Sequence, residues 1–214
     1  MADFRTHAIG AAVPSMVLAA WFTYDQGLSP AIAAACMISG AGGGLLPDID
    51  SESSISMRLI FTIFAVLGAA LGANVVYVQA AEVELLYRVL ASLGAAMPIY
   101  VLVRYGVSRV FHELTSHRGV IHSIPMATAF GLGLVHTTMH WLELPLETAI
   151  WPGMFLTGGF LVHLLLDEAF SVDLAGKRLK RSFGTAMKLG SRSNLAGTLG
   201  LYLANLALAA PLFT

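Results

Sequence analysis

The feature that most constrains this chain is a succession of apolar stretches, each about as long as a bilayer is thick. A helix crossing the hydrocarbon core needs roughly 20 mostly apolar residues. Such stretches fall at 7–24, 29–46, 58–78, 84–104, 120–141, 148–169 and 194–213. Short polar breaks separate them, among them Tyr24-Asp25-Gln26-Gly27, Pro47 to Ser56, Glu82-Val83-Glu84 and Glu143-Leu144-Pro145-Leu146-Glu147. Lipid offers the backbone no hydrogen-bond partners, so segments of this kind must be helical. The expectation is an all-α polytopic membrane protein with about seven spans, forming one membrane-embedded domain over residues 1–214. Composition agrees, with 57% hydrophobic and 12% charged residues, against about 25% charged in soluble domains. This excludes a disordered chain and a nucleic-acid binder with a broad basic face. The single cysteine, Cys36, excludes a disulfide framework and any CxxC motif.

Lysine and arginine placement sets the expected orientation, because these residues are retained on the cytoplasmic side. With the N-terminus inside, eleven of the 12 fall in inner segments, from Arg5, Arg58 and Arg104 to the run between Lys177 and Arg192. The outer links carry Asp25, Glu82, Glu84, Glu143 and Glu147, and only Arg88 lies nearer that face. A cytoplasmic N-terminus and an external C-terminus follow. In residues 171–192 the basic side chains alternate with Leu179, Phe183, Met187 and Leu189. That pattern suits a stretch lying against anionic headgroups, and equally a plain positive-inside loop.

Ionisable groups within or at the ends of spans are costly and are functional candidates. His7 opens the first span, and Pro47-Asp48-Ile49-Asp50 closes the second. His117-Arg118-Gly119 and His122-Ser123 open the fifth, while His163 and Asp167 lie in the last turns of the sixth. The charge topology puts all of them at cytoplasmic helix ends. His163 and Asp167, four residues apart, share one helical face. They can hold a metal together, or Asp167 can orient a histidine ligand, or the two can form a helix-end hydrogen bond. Asp48 and Asp50 supply two carboxylates in one turn, as oxygen ligands or as caps of the next helix. His117 and His122 are candidate zinc ligands or helix-cap histidines. Arg118 can grip a phosphate through its planar fork, or serve as a positive-inside residue. His112, His136 and His140 read as structural or interfacial. Gly40, Gly42, Gly43 and Gly44 suit close helix approach and are followed by no GK[ST], so they are not a phosphate loop.

Taken in order, Thr6-His7, Leu-Pro-Asp-Ile-Asp at 46–50, His-Arg-Gly-x-x-His-Ser at 117–123 and His-x-x-x-Asp at 163–167 resemble the YdjM family of bacterial inner-membrane proteins, described as metal-dependent hydrolases. The resemblance runs from about residue 6 to residue 190. Ile121 stands where a threonine is common, and Ser51 where a histidine often follows the second aspartate. The resemblance implies metal binding by His7, Asp48, Asp50, His117, His122, His163 and Asp167, at a bacterial inner membrane. More loosely, the ligand types are similar to those of the zinc-dependent phospholipase C and nuclease group, which points to phosphoester chemistry.

The expected function is therefore metal-dependent hydrolysis at the cytoplasmic membrane face. One or two divalent ions, zinc favoured, would activate water, with Asp48, Asp50 or Asp167 as base if not a ligand, and the second metal or Arg118 stabilising the oxyanion. A lipid-borne phosphoester is the expected substrate, membrane lipids are the expected partners, and nucleic acid is not expected. A metal-stabilised scaffold or regulatory protein fits the same residues. A transporter fits less well, since its site would lie near the midplane rather than at one end.

Overall fold

The computed structural model describes residues 3–50, 55–115, 120–173, 178–179, 187–191 and 194–213. Among the described residues the regular structure is helical apart from a two-residue antiparallel pairing of Val172 and Asp173 with Leu179 and Arg178, and an isolated bridge between Ser123 and Lys188. They divide into two compact units, residues 1–47 with 117–214, and residues 48–116.

The first unit contains α1 (Phe4–Gln26), α2 (Pro30–Gly43), α6 (Ile124–Trp141), α7 (Leu146–Ala169) and α8 (Leu195–Ala209). Local chemistry sets the boundaries. The Asp3 carboxylate caps α1 by accepting from the Thr6 N–H at 2.8 Å, and the Thr6 bonds hold the Asp3 carboxyl below its ordinary range. Gly27, at φ 66°, ends the helix in the left-handed conformation that glycine adopts without strain. Ser29 then caps α2, with Pro30 in its first turn, where a missing N–H costs nothing.

Helix α7 is the centre of this unit, with α1, α2 and α6 packed on it. Its buried stripe runs through Ala149, Pro152, Gly153, Gly159, Phe160, His163, Leu164 and Asp167, the spacing of one helical face. Small residues let the backbones approach. A Cβ on Gly159 would collide with the Gly40 carbonyl, and one on Gly43 with the Leu156 carbonyl. In lipid such close contact, with its dispersion energy, takes the place of the hydrophobic drive available in water. Leu195, Leu199, Leu203 and Leu206 of α8 are 64–67% exposed, as expected of side chains that face acyl chains.

The second unit is a helical hairpin. Its arms are α3 (Ile55–Gln79) and α4 (Leu85–Val101), which continues through a π-helical turn at Leu102–Val107 into α5 (Ser108–Thr115). Ile49, Met57 and Phe61 form its buried cluster, with Ile60 and Phe111 against them. Arg88, the one basic residue assigned near the outer face, closes the hairpin. Its Nε–H donates to the Tyr77 carbonyl at 2.6 Å, and its guanidinium lies 3.6 Å from the Tyr77 ring centroid.

Of about seven expected spans, five helices among the described residues are long and apolar enough to cross a bilayer: 4–26, 55–79, 85–111, 146–169 and 195–212. The other two fall short for different reasons. Helix α2 has 14 residues, about 21 Å at 1.5 Å per residue, against a core of about 30 Å. Helix α6 has 18 residues, but His136 and His140 lower its hydropathy.

Candidate metal centre

Four helix ends of the first unit carry the polar groups. His7 lies in the second turn of α1, Gly44 follows α2, His122 precedes α6, and His163 and Asp167 occupy the last two turns of α7. His7, His163 and Asp167 are buried, at 1%, 0% and 3% exposure. His7 Nε2 stands 3.2 Å from Asp167 Oδ1, and His163 Nε2 stands 3.6 Å from Asp167 Oδ2. The two imidazoles lie one over the other, with centroids 3.6 Å apart and 34° between their planes. The three residues offer donor atoms all within 4.8 Å of one another. The His122 ring meets His163 edge-on, at 5.8 Å between centroids.

Gly44 orients this set. The last carbonyls of a helix have no partner within the helix, and here the Gly44 oxygen accepts from His163 Nδ1–H at 2.7 Å. A carbonyl can only accept, so Nδ1 holds a proton. In the neutral ring the lone pair is then on Nε2, on the Asp167 side. Gly44 itself has no room for a side chain, since a Cβ there would strike the Ala11 Cβ.

Positive charge stabilises such an arrangement. A buried carboxylate needs compensation. Two imidazolium rings stacked at 3.6 Å would repel each other, so at least one ring offers a lone pair. Two imidazole nitrogens and a carboxylate oxygen are the ligand types that zinc and similar divalent ions take. The carbonyl behind His163 is the kind of partner that fixes a ligating histidine. The donor set therefore fits a divalent cation.

Of the residues singled out from sequence, the fold brings together His7, His163 and Asp167, with His122 beside them. Asp48 is half-buried in the 3₁₀ turn Pro47–Asp50, and Asp50 ends that turn. His117 and Arg118 lie outside the described residues. His136 and His140 stack on each other at 5.7 Å, and His136 Nε2–H donates to the Leu208 carbonyl at 2.6 Å. Sequence reasoning did not identify the Gly44 carbonyl as a partner. Its glycine-rich surroundings indicated close helix approach, but a main-chain acceptor has no residue signature.

No curated protein and no solved structure is significantly similar to the chain. The family model for YdjM inner membrane proteins matches residues 1–176, a stretch that contains His7, His122, His163 and Asp167. With its apolar helices, that match supports a membrane location, and the chain belongs to the YdjM inner membrane protein family.

Proposed function

We propose that the protein is a metal-dependent hydrolase working at the cytoplasmic face of the inner membrane, with a lipid-borne phosphoester as substrate. The observation that carries the reading is the convergence of His7, His163 and Asp167, buried at helix ends, on one small volume. A divalent cation held there, zinc favoured, would supply a water acidified toward neutral pH and a Lewis acid for a phosphoryl oxygen. His7 and His163 would bind it as neutral imidazoles, and Asp167 would balance its charge. His122 is assigned as a further ligand on its position beside His163. Asp48, Asp50 and His117 are assigned from the sequence motif. Arg118 is assigned to the substrate phosphate, because an arginine beside a ligand histidine can bind an oxyanion without being a ligand. Positive residues gathered on one side of the chain support a cytoplasmic N-terminus and a site at headgroup depth.

One observation favours a second reading. The three donors are 0–3% exposed, and closed sites are typical of structural metals, whereas catalytic ones keep an open position. A metal-stabilised scaffold is the alternative. Purified protein loaded with metal, incubated with lipid phosphates and headgroup phosphodiesters, separates the two. The hydrolase reading expects phosphate or headgroup release, reduced about 10²–10³-fold by Arg118→Ala with metal retained. No release from any lipid, or an unchanged rate in that variant, would favour the scaffold.

A further inference from the structure

The family match ends at residue 176, yet the described part of the chain beyond it is bonded back to the start of α6, where His122 stands. The Ile124 N–H donates to the Lys188 carbonyl at 2.9 Å, beside the Ser123–Lys188 bridge. Helix α8 holds this strap in turn. Tyr202 Oη–H donates to the Leu189 carbonyl at 2.9 Å, and the Ser191 N–H donates to Thr198 Oγ1 at 2.9 Å. Gly190 lies so close to α8 that a Cβ on it would collide with Thr198 Cγ2. Helix α8 also reaches α6 directly. Asn205 Nδ2–H donates to the Pro125 carbonyl at 2.9 Å, and His136 is bonded to Leu208 further along.

Two of these bonds, from the Lys188 carbonyl and the Asn205 amide, meet residues 124 and 125, next to His122. Ser123 is fully buried, caps α6, and donates its hydroxyl to the Val120 carbonyl at 2.5 Å. The turn bearing His122 is thus held from within by Ser123 and from outside by Lys188 and Asn205. In lipid, where apolar faces gain little by meeting each other, polar bonds of this kind can decide how a helix is seated. The spacing of the attachments along α8, from Thr198 through Tyr202 and Asn205 to Leu208, puts them within one face at helical intervals.

We propose that the strap at residues 187–191 and helix α8 form a positioning element for His122, holding the 123–125 turn through the Lys188 carbonyl and the Asn205 amide so that the ring stays against His163. The consequence for metal binding rests on the centre proposed above; the pinning of the turn does not. Asn205 is a positioning residue, since it acts through Pro125 and touches none of the donors.

The test uses the full-length protein in detergent with Asn205→Leu, which keeps the size and removes the donor, and Tyr202→Phe as a milder variant. Hydrogen–deuterium exchange should show faster uptake over residues 120–127 in both variants, with residues 146–169 unchanged. Cobalt(II) titration should show about 10–100-fold weaker binding and an altered ligand-field spectrum in Asn205→Leu. The same substitution made in a His122→Ala background should add nothing further. Unchanged exchange in both variants would overturn the proposal. So would an equal loss of cobalt affinity with and without His122, which is what general destabilisation produces. A wild type that takes up no cobalt would sink the metal reading, and the exchange result alone would then decide whether α8 pins the turn.

Discussion

At His163 one hydrogen bond decides what the ring can do, because the Gly44 carbonyl at 2.7 Å keeps a proton on Nδ1. The lone pair of the neutral ring then faces Asp167, where only a proton or a cation can join two electron-pair donors. His163→Ala and Asp167→Asn are each expected to weaken zinc binding by at least about 10–100-fold, the range seen when even an outer partner is lost. His140→Ala, on the stacked pair away from the centre, should leave affinity unchanged, and competition with a chromophoric chelator reads all three. Ligand histidines bind metal only when neutral, so affinity is expected to be full near about pH 8 and to fall as protons compete toward about pH 5. Metal retained undiminished at the acid end would argue against imidazole ligands. The His163–Asp167 pair was legible from its i, i+4 spacing alone. That His7 would stack on His163 was not, because no periodicity links residues so far apart in the chain.

Among the elements, α6 offers an internal comparison. A Cβ at Gly131 would run into Thr157 Oγ1 and the Gly153 carbonyl, whereas nothing lies within 4 Å of one at Gly133. Gly131→Ala should therefore destabilise by about 1–3 kcal/mol, the usual cost of forcing extra volume into a packed interface. Gly133→Ala should be neutral or stabilising by up to about 1 kcal/mol, since alanine is the better helix former. Thermal unfolding in detergent measures both, and equal effects would contradict the packing described for α6 on α7. Apolar length made most of the helices readable in the sequence. It could not show that α2 is a 14-residue helix, because the apolar run continues through Gly44, Leu45 and Leu46, where the helix has already ended. The role of the segment beyond residue 176 was also illegible. Its ties to α6 run largely through the main-chain carbonyls of Lys188, Pro125 and Leu208, which any residue could offer.

For the whole molecule, the lysine and arginine asymmetry predicts a cytoplasmic N-terminus and an external C-terminus. Reporter fusions active only outside the cytoplasm should be active after residue 214 and silent near Lys180. The reverse pattern would move the polar helix ends to the other face and remove the argument for a cytoplasmic site. Everything proposed for the protein's chemistry depends on the buried histidines and aspartate holding a cation rather than a proton. The most direct measurement is elemental analysis of the purified protein, as isolated and after incubation with zinc, beside the His163→Ala and Asp167→Asn variants. A divalent metal in stoichiometric amount is expected in the wild type, with its loss from both folded variants. Folded wild-type protein that carries no stoichiometric metal and takes none up would contradict that expectation.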